Sequence, residues 1–202
     1  TLGEGGMIST NKKKNYEFCK RYINHGSNYK NKKKSEKFVY NKDYFGTNLR
    51  ITEIQSCAGI EQLKNLKKIQ KKREKISKYY FDLISKYQNY FDCYYPSKKI
   101  KSAWYRFYFF LKKDTKNYQK LRFKIIKDLR KNNLKCFTGS CPEIYLEKAF
   151  KKLNNAKPIR LKNCKTLGQT SIALEINHTL EYSQHKKKLL ILKQVIEKNF
   201  QI

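Results

Sequence analysis

Two side chains on one short stretch are best suited to holding an anion. Gly46-Thr47-Asn48-Leu49-Arg50 runs directly into Thr52-Glu53-Ile54-Gln55, a helix-start pattern, so Asn48 and Arg50 are expected on the loop that enters a helix. Asparagine supplies an amide donor and arginine a planar fork of donors, and both suit phosphate or carboxylate. The plainer alternative is that Asn48 makes only local turn bonds. His25, in Asn24-His25-Gly26, and His178, in Asn177-His178-Thr179, are the two histidines with motif context. Lone histidines more often pack or close turns than catalyse, and His185, set among lysines, reads as solvated. Gly3-Glu4-Gly5-Gly6 lacks the G-x-G-x-x-G spacing of a phosphate loop and reads as a turn that needs positive φ. The six cysteines form no paired C-x-x-C arrangement, and the Cys136/Cys141 pair has no histidine nearby, so reduced thiols are expected.

The elements that must position these residues follow from periodicity. Met7 to Thr10 reads as a short strand, and Asn11 as the cap of a helix over about 13–23. Residues 26–37 read as a polar loop. Thr52 and Gln55 form a capping box, and apolar residues at three- and four-residue steps carry that helix to about Tyr87. Beyond Pro96, Trp104 to Leu111 reads as an aromatic strand, 118–132 as an amphipathic helix, and Leu134 to Phe137 as a short strand. Ser171 to Asn177 reads as an alternating strand with Ile172, Leu174 and Ile176 on one face. A last helix over 183–200 directs Leu189, Leu190, Ile196 and Phe200 inward. This order predicts an α+β unit with helices on one side of a small sheet.

Composition narrows the function. Hydrophobic residues at 39% and aromatic residues at 14% describe a folded chain. No apolar run approaches a membrane span of about 20 residues, and residues 1–20 lack a signal-peptide layout; a cytoplasmic protein with no membrane partner is expected. The net charge of +31 invites a nucleic-acid reading. Only seven of the 47 basic residues are Arg, however, and the Lys, Asn, Ile and Tyr bias is that of A/T-rich codons. Arginine is the residue expected in a dedicated reader of phosphates and bases, so no specific nucleic acid is expected.

Residues 1–10 (Thr-Leu-Gly-Glu-Gly-Gly-Met-Ile-Ser-Thr), Tyr22-Ile23-Asn24-His25-Gly26 and Gly46 to Gln55 together resemble the DegT/DnrJ/EryC1/StrS family of pyridoxal-phosphate (PLP) dependent sugar aminotransferases. Thr138 to Phe150 and Leu167-Gly168-Gln169-Thr170-Ser171 resemble segments of members that serve lipopolysaccharide and capsule pathways. The resemblance implies an α/β fold of PLP-transferase type I, of which this chain is the C-terminal portion: the end of the large PLP-binding domain at 1–50, a connecting helix at 51–88 and a small α+β domain at 89–202. It implies that the Schiff-base lysine lies just upstream of Thr1, so that no catalytic residue falls in this chain, which alone is inactive. It further implies a homodimer in which Asn48 reaches the phosphate of the partner's PLP, with Arg50 near a substrate carboxylate and His178 and His25 as substrate-side candidates. Thr179 departs from the His-Pro pair usual in the family. The implied reaction moves an amino group from glutamate to a nucleotide-linked keto sugar. The competing readings are a basic nucleic-acid-binding protein and a non-catalytic relic of the aminotransferase.

Overall fold

The computed structural model describes residues 3–28, 41–153 and 159–202, so most of the expected 26–37 loop, with Thr1 and Leu2, lies outside the described residues. Two compact units are present, Thr1–Leu66 and Lys67–Ile202. In the first, helix α1 spans Lys13–Tyr22. Asn11 does not cap it: the cap position is Lys12, without a side-chain bond, and the Lys12 amide donates instead to Thr10 Oγ1 at 3.1 Å. Met7 to Thr10 is not a strand, since it pairs with nothing among the described residues and Met7 and Ile8 stay exposed. Helix α2, Glu53–Ile84, begins at the expected capping box. The Gln55 amide donates to Thr52 Oγ1 at 3.3 Å and the Thr52 amide to Gln55 Oε1 at 3.2 Å. The helix continues as a single turn of tighter helix over Ser85–Tyr87. The boundary between the units falls within α2.

The second unit holds the core. Strands β1 (Phe91–Cys93), β2 (Arg106–Leu111), β3 (Cys136–Phe137) and β4 (Ser171–Glu175) form one antiparallel sheet in the order β1-β2-β4-β3. Helix α3 (Tyr118–Lys131) follows β2, α4 (Lys148–Leu153) and α5 (Lys162–Thr170) precede β4, and α6 (Tyr182–Phe200) closes the chain. Phe107, Phe109 and Leu111 alternate onto the inner face of β2 and pack with Tyr80 and Ile84 of α2, Ile125 and Leu129 of α3, and Leu192 and Ile196 of α6. Each such side chain contributes about 1.5–3 kcal/mol on burial.

Several expectations fail locally. Ala173 of β4 is buried as fully as Ile172 and Leu174, because β4 is a central strand covered on both faces. On α6, Leu190 is 58% exposed, and Leu192 and Val195 take the inward positions. His185 is buried rather than solvated. The aromatic strand starts at Arg106, two residues late, because Trp104 adopts a left-handed backbone with φ 47°. Strand β1 and helices α4 and α5 have too few residues or too weak a period to be read in advance.

Candidate functional site

In the first unit the end of α1 and the loop before α2 are stitched together by backbone bonds. Thr47 N donates to Tyr22 O at 2.9 Å, Leu49 N to Ile23 O at 3.1 Å, His25 N to Thr47 O at 3.2 Å and Asp43 N to Gly26 O at 3.1 Å. Asn24 and Asn48 form an antiparallel bridge. Glycine makes this approach possible. A Cβ on Gly46 would lie 2.5 Å from both Gly26 N and Tyr22 O, and one on Gly26, whose φ is +68°, would lie 1.7 Å from Tyr44 O. The glycines of the two motifs are therefore each other's packing partners. Arg21 anchors the same assembly through Asp43 at 3.3 Å, with its guanidinium over the Tyr44 ring.

Asn48 sits on this platform, exposed. Its Oδ1 accepts from the Arg50 amide at 3.2 Å, the local turn bond anticipated as the plainer reading, and its Nδ2 donor has no partner among the described residues. Arg50, also exposed, donates from Nη1 to Asn24 Oδ1. The result is a loop that presents amide and guanidinium donors, a set suited to an oxyanion. His25 is beside it, exposed, in a left-handed conformation with φ 56°.

His178 belongs to the second unit. Half-buried, it accepts at Nδ1 from Arg73 Nε of α2 at 3.4 Å. Burial, and then the charges of Arg73 and Lys72, push its pKa below the usual histidine value, so it is neutral near pH 7. The turn after it closes without proline: Asn177 Oδ1 accepts from the Thr179 amide at 3.0 Å and its hydroxyl at 2.7 Å. The Asn48 group and His178 are thus positioned by different units.

Two arrangements escaped the sequence. Glu143 is gripped by both forks of Arg160 and accepts from the Tyr145 hydroxyl at 2.8 Å, and the Arg160 bond holds its carboxyl below the ordinary range. Arg122, buried on α3, donates from Nε to Ser171 O at 2.8 Å and from Nη2 to Thr138 O at 2.9 Å, tying β4 to the end of β3. Cys136 and Cys141 are free thiols. The two pathway-like segments meet where a Cβ on Gly168 would strike the Pro142 ring at 2.3 Å.

A model of the DegT/DnrJ/EryC1/StrS aminotransferase family matches residues 1–189. The chain belongs to the DegT/DnrJ/EryC1/StrS family. Among its relatives, the Helicobacter pylori UDP-4-amino-4,6-dideoxy-N-acetyl-beta-L-altrosamine transaminase is 28% identical over 92% of this chain and 47% of its own length. An aminotransferase from Psychrobacter cryohalolentis superposes with a TM-score of 0.81 at 26% identity, covering 95% of this chain and 50% of that one. The E. coli GDP-4-keto-6-deoxy-D-mannose-3-dehydratase, solved with bound hydrated PLP, superposes with a TM-score of 0.70 at 21% identity, covering 91% of this chain and 49% of that one. This DegT-family chain therefore has the mixed helix-and-sheet architecture of PLP-dependent aminotransferases and spans about half the length of the relatives it matches.

Proposed function

We propose that this chain is the C-terminal part of a PLP-dependent aminotransferase that passes an amino group from glutamate to a UDP-linked 4-keto-6-deoxy sugar for surface polysaccharide synthesis. The observation that carries the reading is the Asn48 loop: an exposed amide donor and a guanidinium, fixed by two glycine contacts, inside the family's matched region. That donor set fits the dianionic phosphate of PLP, with no carboxylate in the Asn24–Asn48–Arg50 group to repel it. The UDP-sugar transaminase among the relatives supports the substrate class.

When bound, PLP supplies an electron sink for carbanion character beside the amino group. The residues of this chain act around it. Asn48 would donate Nδ2–H to a phosphate oxygen while Arg50 N holds its Oδ1. Arg50, steadied by Asn24, would receive the carboxylate of the amino donor. Neutral His178 would hold a hydrogen bond to a sugar hydroxyl, with Arg73 occupying Nδ1, and His25 stands as a further substrate-side contact.

Phe45, Leu49, Ile51 and Ile54 surround the loop in sequence and are all exposed. An apolar rim of this kind favours cover by a second subunit, which would exclude water and strengthen the charged hydrogen bonds. This supports a homodimer with shared sites. The large-domain end at 1–50, connecting helix at 51–88 and small domain at 89–202 are part of the same proposal, as is a cytoplasmic location; no described helix is long and apolar enough to cross a membrane.

Titration of PLP into the assembled enzyme tests the assignment. Asn48→Ala should weaken PLP binding by about ten- to a hundredfold, the worth of a hydrogen bond to a charged group, with unfolding unchanged because Asn48 is exposed. Unchanged PLP affinity would remove Asn48 from the phosphate site.

A further inference from the structure

We infer that Arg73 is a positioning residue: it holds the His178 ring as a one-way hydrogen-bond donor, with the proton on Nε2, so that the group meeting His178 must bring an acceptor oxygen. The pair lies wholly within the second unit. What it does for a substrate rests on the aminotransferase reading above; the state of the ring does not.

The sequence of α2 places the arginine. Ile76, Ser77, Tyr80 and Ile84 are the buried residues of that helix. Arg73 stands three residues before Ile76 and four before Ser77, so it continues their stripe by one more turn. An apolar side chain would end the core there. Arg73 is instead half-buried, and its own carbonyl accepts from Ser77 Oγ at 2.9 Å. His178 arrives from the sheet. Strand β4 ends at Glu175, Ile176 is buried in the core, and Asn177 Oδ1 closes the following turn by accepting from the Thr179 amide and hydroxyl. Between this turn and α2 the ring meets Arg73, Nε to Nδ1, at 3.4 Å.

The chemistry of the two groups decides where the proton sits. A guanidinium has five N–H donors and no acceptor, and it stays charged at any ordinary pH. Nδ1 can face it only with a lone pair, since an N–H there would set donor against donor. The neutral imidazole then carries its single ring hydrogen on Nε2. A second proton would have to displace the arginine bond. It would also join a half-buried ring already beside the charges of Arg73 and Lys72. Nε2 has no partner among the described residues, so its N–H is free to donate. A carbonyl, ether or carboxylate oxygen fits that N–H, an ammonium does not, and a hydroxyl fits through its lone pairs.

Nitrogen-15 spectra of the full 202-residue chain near neutral pH test the pair; the chain has three histidines, and the signals lost in His178→Gln assign this one. The expected pattern is a pyridine-type Nδ1 that accepts a hydrogen bond and an Nε2 bonded to hydrogen. In folded Arg73→Leu, Nδ1 should shift toward an unbonded imidazole nitrogen, with part of the population carrying the proton there. If that variant loses its fold, Arg73→Lys takes its place and should shift Nδ1 in the same direction, because an ammonium on a shorter side chain does not reproduce the planar Nε–H. An Nδ1–H ring or a doubly protonated ring in the wild-type chain would overturn the inference, as would an unchanged spectrum in the folded variant. In the assembled enzyme Arg73→Leu should raise KM for the amino acceptor about three- to tenfold at unchanged kcat, the mark of a hydrogen bond made equally in ground and transition states. Unchanged KM would overturn the substrate role. Absence of transaminase activity beside the expected wild-type spectrum would count against the proposed function and leave the Arg73–His178 pair established.

Discussion

His185 shows how one misplaced polar side chain couples fold to pH. Among the described residues, neither ring nitrogen of this buried histidine has a hydrogen-bond partner. Burial, then the charge of Lys188, drives its pKa down; the Asn177 backbone pulls the other way without reaching hydrogen-bond geometry. The native state therefore resists a proton that the unfolded chain accepts near pH ~6.5. Stability should be full above that value and fall as pH drops through it toward the depressed native pKa, because the unfolded state then binds more protons. His178, also depressed, adds to the same slope. Urea unfolding between about pH 7 and 5 should show the decline, and His185→Leu should flatten most of it; an unaltered slope in the variant would contradict this origin. The burial was legible, since positions 185, 189, 192 and 196 form one helical stripe, but the three lysines that follow, Lys186, Lys187 and Lys188, suggested solvent. Asn48 and Arg50 were readable as a loop pair from their place before the capping box. Their dependence on Asn24 and on the Gly26–Gly46 contact was not, because both are tertiary.

At the scale of elements, the local signal before α2 held and the one before α1 did not, where Lys12 takes the cap position expected of Asn11. The Thr52–Gln55 box and the extent of α2 follow from side chains within four residues of each other. Met7 to Thr10 has strand-like residues but pairs with nothing among the described residues, and the burial of Ala173 on the second face of β4 is a tertiary effect that the alternating sequence does not show. Arg122 lies in the apolar stripe of α3 yet does the work of a clamp, joining helix, β3 end and β4 start through two backbone carbonyls. Arg122→Met keeps the stem and removes the donors, leaving Ser171 O and Thr138 O to lose a charged partner. The expected loss is about 2–3 kcal/mol, read as a lower urea midpoint at constant slope. A change below about 0.5 kcal/mol, the range of ordinary surface substitutions, would show the clamp to be dispensable.

Across the whole molecule the two units are unequal. The second closes around a continuous core from Ile76 to Ile196, whereas Gly26 is the sole buried residue described in the first. The family match extends through both units, and the relatives are about twice as long as this chain. Under the proposed function, the exposed first unit is the part that surface from elsewhere in the enzyme would cover. The +31 charge fits the same picture: it resides mainly in lysines, and six of the seven arginines are committed to polar groups within the protein. The most direct test is a mass-spectrometric assay of the assembled enzyme with PLP, glutamate and a UDP-linked 4-keto-6-deoxy sugar. The account predicts PLP-dependent replacement of the keto oxygen by an amino group, with one 2-oxoglutarate formed per amino sugar. Enzyme that binds PLP yet leaves a panel of nucleotide-linked keto sugars unchanged would contradict it.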